Sequence, residues 1–375
     1  MNDGGEFPTD VLAHILERLH PNARRRLRLV SQHRRHVVDT RTATSLRSRA
    51  KTLLITVERA YVLDNDDLST GQRKWEMPVF RDRYGNRGTN EVVGVCNGII
   101  CMCDDHGGIH LYNANPMVGG TLSIPSLLLP RQSDARMWRR TFGFTHDMAT
   151  GRYMVVHIQH DRVMVFTLGE AAWQEVIIIP YAKDISNCNK DGFVTVDGTI
   201  YWAMDGKGRG KVMSFDLDGK RAPSAIPLPS PKPAGTWRLT EVLGRLAIVF
   251  STDVWVMERG ASAEATDTRW SLWYSVHVQR LRHQPKWHDQ QQLTWPHFAH
   301  GSKHIMTWEW LSTGGGCALY QHMASNHNTK ARRGTVQINQ RNQGTLVAHI
   351  ETKYDTFMRF DYIDSTEQLR AYKCW

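Results

Sequence analysis

Apolar positions near the start of the chain recur with the period of an α-helix. Within residues 7–19 they fall at i, i+1, i+4, i+5 and i+8, namely Val11, Leu12, Ile15, Leu16 and Leu19. This spacing places them along one stripe of a helix surface. The stripe is followed by His20-Pro21. A residue before proline is pushed out of the α region, so we expect the helix to end there.

Two further short helices should follow this first one. Asn22 can cap the second helix. The apolar positions are Ala23, Leu27 and Val30 in the second helix and Val37 and Val38 in the third. Three short helices bury little of their own apolar surface. We therefore expect a module that either packs on the rest of the chain or docks on a partner.

From about residue 91 the pattern changes to short strands separated by turns, and one layout recurs. Each unit is a hairpin around a turn that ends in glycine, followed by a third and a fourth strand. The turn glycines are Gly98, Gly151, Gly198 and Gly244, spaced by 53, 47 and 46 residues. Asn97-Gly98 and Asp197-Gly198 are type I′ hairpin signals. Four strands in about 50 residues favours a kelch-type β-propeller over the competing β-sandwich.

The pattern is less regular outside these four units. Residues 305–310 and 317–320 predict a fifth unit, and residues 344–349 and 371–375 predict a sixth. Residues 46–90 are polar and glycine-containing, which predicts a linker with one possible strand at 51–57. The predicted fold class is therefore α+β and multidomain. Residues 1–45 form three helices, 46–90 a linker, and 91–375 an all-β domain with propeller architecture.

Composition and charge narrow the classes of protein. The 375 residues are 41% hydrophobic and 22% charged, which is a globular composition. No apolar run is long enough to span a membrane, and Asp3, Glu6 and Asp10 precede the first apolar run, so we expect neither a membrane anchor nor a secretory signal. We therefore interpret the 6 cysteines as reduced thiols in the cytoplasm or nucleus.

The net charge of +10 is concentrated at the start of the chain, because residues 1–60 hold 12 Lys/Arg against 6 Asp/Glu. Ten of these basic residues lie between Arg24 and Lys51. A nuclear localisation signal or a nucleic-acid patch has this composition. Few aromatic residues interrupt the run, although base stacking would use them, so the pattern favours solvated helix faces.

Three sets of residues resemble chemical sites. Cys96, Cys101 and Cys103 stand near His106 and His110, but their spacing fits no standard zinc pattern. Strand alternation instead places Cys101 and Cys103 on one face, where free cysteines pack as small apolar groups.

The second set, residues 206–211, resembles a phosphate-binding loop, but Val212 stands where a Ser or Thr is needed, which favours a hairpin tip. The third set is the 18 histidines, which are scattered. No Ser–His–Asp or Cys–His set can be assembled from the sequence alone. We therefore expect no catalytic residue, no cofactor and no metal ion.

The N-terminal segment FPTDVLAHILERLHPNARRRLRLVSQHRRHVVD resembles the F-box motif in the form common in large plant families. Phe7-Pro8 stands at the Leu-Pro opening of that motif, and the helix positions and Pro21 match it. Ser31 stands where the family has Cys, and Arg34 where it has Trp. The resemblance implies binding to a Skp-type adaptor and, through it, to a cullin–RING ubiquitin ligase. It implies an adaptor-binding set of Phe7, Pro8, Val11, Leu12, Ile15, Leu16, Leu27, Val30 and Arg34.

Residues 95–242 also resemble the kelch-like F-box-associated propeller of plant F-box proteins. The phrases that carry this resemblance are Val95–Cys101, Gly143-Phe144, Thr150–Tyr153, Val196–Trp202, Val212–Leu217 and Trp237–Val242. It implies that this domain presents a protein substrate to the ligase for ubiquitination and proteasomal degradation. The chain itself would be a non-catalytic receptor subunit. The alternatives are a basic nuclear protein that binds nucleic acid and a propeller enzyme with a metal in the central channel.

Overall fold

In the computed structural model of the chain, the described elements are almost all β-strands. It describes residues 8–18, 37, 51–56, 59–63, 73–77, 91–104, 107–115, 118–127, 141–147, 151–159, 162–178, 193–196, 198–204, 210–217, 223–229, 237–242, 245–250, 253–258, 270–278, 292–298, 304–310, 316–323, 334–338, 345–351, 358–362 and 368–372. One α-helix has described bounds, α1 (Thr9–Arg18), and a short 3-10 helix, η1 (Leu369–Tyr372), lies near the C-terminus.

The strands of the described residues form six sheets, which we number I to VI. Sheets I to III contain β1 (Lys51–Ile55), β2 (Arg59–Leu63), β3 (Arg73–Glu76), β4 (Glu91–Cys96), β5 (Ile99–Cys103), β6 (Ile109–Asn113), β7 (Thr121–Ser123), β8 (Phe142–His146), β9 (Tyr153–Gln159), β10 (Arg162–Thr167) and β11 (Gln174–Ile178). Sheet I has the order β25-β1-β2-β3, sheet II the order β4-β5-β6-β7 and sheet III the order β11-β10-β9-β8.

Sheets IV to VI contain β12 (Val194–Val196), β13 (Thr199–Met204), β14 (Lys211–Asp216), β15 (Ser224–Ile226), β16 (Trp237–Val242), β17 (Arg245–Phe250), β18 (Asp253–Met257), β19 (Trp270–Val278), β20 (Gln292–Phe298), β21 (His304–Trp310), β22 (Gly316–Met323), β23 (Gly334–Ile338) and β24 (Thr345–Glu351), and β25 (Met358–Tyr362) belongs to sheet I. Sheet IV has the order β12-β13-β14-β15, sheet V β16-β17-β18-β19-β23, and sheet VI β20-β21-β22-β24. Each pair of neighbouring strands is antiparallel except β19 and β23, which are parallel.

The sheets follow one another around a ring. One edge strand of each sheet contacts an edge strand of the next: β25 contacts β4, β4 contacts β8, β8 contacts β12, β12 contacts β16, and β20 contacts β25. Sheets V and VI meet where β22 contacts β23. Sheet I closes the ring, because it joins the strand nearest the C-terminus, β25, to three N-terminal strands. The all-β domain is a β-propeller.

Apolar clusters lie between successive sheets from VI through I to V, so sheets I to IV are buried on both faces. In β5 all five residues are buried. Ile99 and Cys101 belong to the apolar cluster between sheets II and III, whereas Ile100 and Met102 belong to the cluster between sheets I and II. A strand with two buried faces must be apolar along its whole length, since successive side chains point to opposite faces.

The predicted type I′ turn is confirmed at Asn97-Gly98, and Gly198 of the second predicted turn also has positive φ. Asn97 and Gly98 have φ angles of 51° and 75°, and they connect Cys96 to its partner Ile99. Positive φ at both central residues defines the type I′ turn, whose twist matches that of the flanking strands. Gly198 has a φ of 81° in the corresponding turn between β12 and β13.

Two segments differ from the sequence prediction. The predicted linker over 46–90 contains three strands, β1 to β3, which pair with one another and with β25. The propeller therefore includes residues 51–76. The two segments of the predicted sixth unit do not form one sheet: the first becomes β24, which pairs with β22 in sheet VI, and Ala371 and Tyr372 of the second lie in η1. β25, which lies between these segments, pairs with β1 in sheet I. Ring closure, which is a long-range contact, decides both cases.

The first of the three predicted helices is present as α1, and it ends at Arg18. The second predicted helix lies outside the described residues. Of the third, only Val37 is described; it is helical and fully buried.

A tryptophan hydrogen bond joins neighbouring sheets at two places in the ring. Nε1 of Trp173, which precedes β11, donates to the carbonyl oxygen of Pro125, which follows β7, at 2.7 Å. Nε1 of Trp270 donates to the carbonyl oxygen of Pro227, which follows β15, at 2.8 Å. Each bond therefore connects the fourth strand of one sheet, or the residue just before it, to the segment after the last strand of the preceding sheet.

Replacing Trp173 by Phe is expected to lower the free energy of unfolding by about 1 kcal/mol, the net value of one hydrogen bond. The phenyl ring preserves aromatic contact with Phe166, whose ring centroid lies 5.5 Å from that of Trp173. Urea unfolding measures the change. Trp255→Phe is the matched control, because no described residue accepts a hydrogen bond from Trp255 Nε1. An equal loss in the two variants would contradict the assigned role of the bond.

Candidate functional site

Helix α1 presents apolar side chains to solvent as well as to the protein. Leu12 is buried, with 6% of its surface exposed, whereas Val11 and Ile15 are 46% and 41% exposed. Val11 and Ile15 are four residues apart, so they lie one above the other on one helix face. Together with exposed Pro8 they form what we call the α1 surface.

The start of α1 fixes this surface in place. The Leu12 N–H donates to the carbonyl oxygen of Pro8 at 2.9 Å, so the first turn closes around the proline. Asp10 lies in this turn, where a negative charge interacts favourably with the helix dipole. Burial of Leu12, which is adjacent to Val11 and one turn before Ile15, then orients the helix so that Val11 and Ile15 remain exposed.

The structure places part of the predicted adaptor-binding set. Pro8, Val11 and Ile15 lie on the α1 surface, and Leu12 lies behind it. Leu16 belongs to α1, but its side chain lies outside the described part of the chain. The remaining members, Phe7, Leu27, Val30 and Arg34, also lie outside the described residues.

The cysteines near position 100 pack as apolar groups, as predicted from strand alternation. Cys101 and Cys103 are fully buried in the cluster between sheets II and III, and Cys96 packs partly buried against it. Burial raises the pKa of the Cys101 thiol well above its usual value, and the neighbouring Cys103 adds to this effect. A thiol with a raised pKa is a poor metal ligand and a poor nucleophile, because both functions need the thiolate.

His110, which stands near these cysteines in the sequence, contacts polar side chains rather than the cysteines. Its Nδ1 lies 2.8 Å from Ser123 Oγ, and its Nε2 lies 3.1 Å from Asp104 Oδ2. These three residues could not be grouped from the sequence, since only the register of β6 against β7 brings His110 opposite Ser123. Among the described residues, no three His, Cys, Asp or Glu side chains form a group that could hold a metal ion.

The glycine-rich segment at 206–211 connects two antiparallel strands. Met204 at the end of β13 pairs with Lys211 at the start of β14, which agrees with the predicted hairpin tip. A Cβ atom added to Gly210 would lie 2.9 Å from the Trp237 ring, so this glycine permits close approach to sheet V.

A cavity of about 410 Å³ lies between sheets II and III. Its lining includes Leu127, His157, Arg162, Trp173 and Glu175. Arg162 Nη1 lies 3.3 Å from Glu175 Oε2 at the exposed side. His157 is fully buried, and this burial lowers the pKa of its imidazole to about 4, with a hydrogen bond to the Thr141 backbone acting in the opposite direction.

No protein-family model matches the chain, and no curated protein sequence matches it. Within its described residues, no helix is long and apolar enough to cross a membrane.

Several solved structures resemble the chain weakly. The β-propeller domain of Cps50 (Swd1) from Myceliophteria thermophila has 11% identity and a TM-score of 0.38, over 81% of this chain and 84% of that one. Hsv2 from Kluyvelomyces marxianus has 10% identity and a TM-score of 0.34, over 83% and 81%. TolB from Acinetobacter baumannii has 9% identity and a TM-score of 0.36, over 78% and 67%. At these scores the likeness carries no functional argument, and the propeller assignment rests on the sheet order and ring contacts described above.

Proposed function

We propose that the chain is the substrate-receptor subunit of a Skp–cullin–F-box ubiquitin ligase. Residues 1–45 bind a Skp-type adaptor, and the propeller holds a protein substrate. The chain contributes no catalytic residue to ubiquitin transfer in this proposal. It acts by placing a substrate lysine near the conjugating enzyme that the ligase binds, so the rate gain comes from proximity.

The observation that carries the proposal is the α1 surface. The large apolar side chains that are exposed in the described part of the chain are Val11, Ile15 and Leu346, and two of these three lie on one face of a single short helix. An amphipathic helix with an apolar face toward solvent is suited to docking on a partner's helices. The F-box resemblance of residues 7–39 supports a Skp-type adaptor as that partner.

The double variant Val11→Asp/Ile15→Asp is expected to weaken adaptor binding by about 100-fold or more. Burying two aliphatic side chains contributes about 3 kcal/mol or more, and 1.4 kcal/mol corresponds to a tenfold change in affinity. Isothermal titration calorimetry of the full chain with a plant Skp-type adaptor measures this, and we expect micromolar or tighter binding for the unaltered chain. The helix should still fold, because both side chains are already exposed.

Leu346→Asp is the matched control. Leu346 is 43% exposed, which is similar to the exposure of Val11 and Ile15, but it lies on the propeller strand β24. Adaptor binding should be unchanged in this variant. Equal weakening by Leu346→Asp and the double variant would contradict docking through α1.

Arg34 provides a second comparison, since the F-box pattern has Trp at that position. If the adaptor bound only the Arg34→Trp variant, the receptor function would be overturned for this chain. The N-terminal segment would then resemble an F-box in sequence without binding the adaptor. If the adaptor bound neither the unaltered chain nor Arg34→Trp, the receptor function would be overturned. The alternative of a basic nuclear protein would then be tested by nucleic-acid binding, whose affinity should fall steeply with salt.

A further inference from the structure

Three polar side chains of sheet II form a continuous hydrogen-bonded chain. Ser123 Oγ lies 2.8 Å from His110 Nδ1, and Asp104 Oδ2 lies 3.1 Å from His110 Nε2. His110 is 14% exposed and Asp104 23% exposed, while Ser123 is open to solvent. The order is that of a serine nucleophile, an imidazole base and a carboxylate that orients the base.

The fold fixes the three groups by different means. His110 on β6 lies directly opposite Ser123 on β7, so their side chains share one face of the sheet. Asp104 follows β5 and is fixed by a tight turn. Its Oδ1 accepts the Gly108 N–H at 2.8 Å, and its own N–H donates to the Gly108 carbonyl oxygen at 2.9 Å.

The protonation pattern follows from these partners. An ionised carboxylate only accepts hydrogen bonds, so a neutral His110 beside the Asp104 carboxylate carries its proton on Nε2. Nδ1 is then an acceptor, and the Ser123 hydroxyl must donate to it. In this tautomer the serine proton already points at the base that would remove it.

The backbone of Ser123 offers a donor on the open side of the strand. The Ile124 N–H donates to the Ile109 carbonyl oxygen at 3.1 Å, so Ile109 and Ile124 form a hydrogen-bonded pair. The adjacent pair, His110 and Ser123, is therefore of the non-hydrogen-bonded type, and the Ser123 N–H points away from β6. β7 is the outer strand of sheet II, so this N–H faces outward, where it can donate to an oxyanion.

We propose that Ser123 is a nucleophile for acyl transfer from small carboxylic esters, with His110 as general base and Asp104 as a positioning residue. Ser123 Oγ attacks the ester carbonyl carbon and gives its proton to His110 Nδ1. The bond from the carbonyl carbon to the alkoxy oxygen breaks, and the departing alcohol takes the proton from Nδ1. Water then attacks the acyl-serine, its proton passes through Nδ1 to Ser123 Oγ, and the carboxylic acid leaves. The sum is one ester and one water converted to one acid and one alcohol.

A fluorophosphonate probe on the full-length chain tests the proposal. Such a probe phosphonylates an activated serine and releases fluoride, and peptide mass spectrometry locates the adduct. We expect one adduct, on Ser123. The unlabelled chain should hydrolyse p-nitrophenyl acetate, and the labelled chain should not. Ser123→Ala should lose both activities. Ser126→Ala is the matched control: this exposed serine lies three residues further along the chain, and its loss should change neither.

Replacing the base should slow phosphonylation by about 100-fold or more, since general-base catalysis contributes at least that much. His110→Gln is the variant, with thermal unfolding as the check on its fold. An absent Ser123 adduct would overturn the proposal, and so would equal labelling rates in the unaltered chain and a folded His110→Gln variant.

The positioning role of Asp104 has its own signature. Asp104→Asn keeps an oxygen for the Gly108 N–H but turns an amide N–H₂ toward His110 Nε2. The imidazole proton should therefore move to Nδ1, and labelling should fall about as far as in His110→Gln. Nitrogen-15 NMR of His110 distinguishes the two tautomers. Unchanged nitrogen shifts together with unchanged labelling in Asp104→Asn would rule out the assigned role.

Discussion

A chain that ends at residue 357 is expected to lose the cooperative unfolding transition of the propeller. β25 would be missing, and it is the strand that pairs with β1 over five residues, from Lys51 opposite Tyr362 to Ile55 opposite Met358. It also contacts the first strands of both neighbouring sheets, β4 and β20. The ring would be open at sheet I, with apolar surface of three sheets exposed to water.

The expected size of this effect follows from the buried groups. Tyr362 is fully buried, and the apolar cluster that contains Leu53 on β1 would lose Tyr362, Met358 and Phe360. Removing one large core side chain costs about 3–5 kcal/mol, and the whole stability of a domain is about 5–15 kcal/mol. Loss of a complete strand should therefore exceed what the remaining propeller can tolerate. Thermal unfolding followed by circular dichroism measures it.

Two other truncations serve as controls. A chain that ends at residue 372 retains β25 and η1, so its melting temperature should stay near that of the full chain. A chain that ends at residue 367 retains β25 but loses Leu369, which is buried between sheets II and III, and Tyr372, which packs edge-on against Tyr153. It should unfold cooperatively but with about 2–5 kcal/mol less stability. If the chain ending at 357 unfolded at the same temperature as the full chain, the assigned role of β25 in ring closure would be wrong.

Local sequence signals predicted much of the propeller. The Asn97-Gly98 turn required positive φ at both residues, and both have it. The four regular units correspond to sheets II, III and IV and to the first four strands of sheet V. These signals are short-range, because a hairpin and its turn lie within about a dozen residues of one another.

The parts that sequence reasoning missed depend on distant partners. β1 pairs with β25, from which it is separated by most of the chain, and no local pattern in residues 51–76 indicates that pairing. β23 joins sheet V in parallel, whereas the next strand, β24, joins sheet VI. A strand pattern states that a segment will pair, but the choice of partner depends on loop closure and on the packing of the complete ring.

The candidate sites divide in the same way. Periodicity alone predicted the apolar stripe of α1, but only the fold separates buried Leu12 from exposed Val11 and Ile15. The group of Asp104, His110 and Ser123 had no sequence signal, since two strand registers and one turn bring the three residues together. Cys101 and Cys103 were predictable as core, because strand alternation is a local property.

Acidification from pH 6.5 to pH 4 is expected to destabilise the folded chain through His157 by up to about 3 kcal/mol. His157 is fully buried on β9, and its ring centroid lies 4.4 Å from that of Phe142. Burial lowers the pKa of the imidazole to about 4, against about 6.5 in an unfolded chain. Between these two values the unfolded chain binds one proton more than the folded chain. Stability therefore rises with pH across this window: the contribution is complete above pH 6.5 and is lost as the pH falls toward 4.

The variant His157→Phe should remove this acid-side slope. Phe keeps an aromatic ring beside Phe142, and the cavity of about 410 Å³ at this site leaves room for the larger side chain. Urea unfolding at pH 7, 6 and 5 measures the slope, and this range stays above the titration of most carboxylates. His349→Phe is the control, because His349 lies exposed on β24 and its replacement should keep the slope of the unaltered chain. An identical loss of stability between pH 7 and pH 5 in His157→Phe and in the unaltered chain would show that His157 does not titrate as a buried group. If only His157→Phe has a flat profile, acid unfolding of this propeller begins with protonation of a core histidine between sheets II and III.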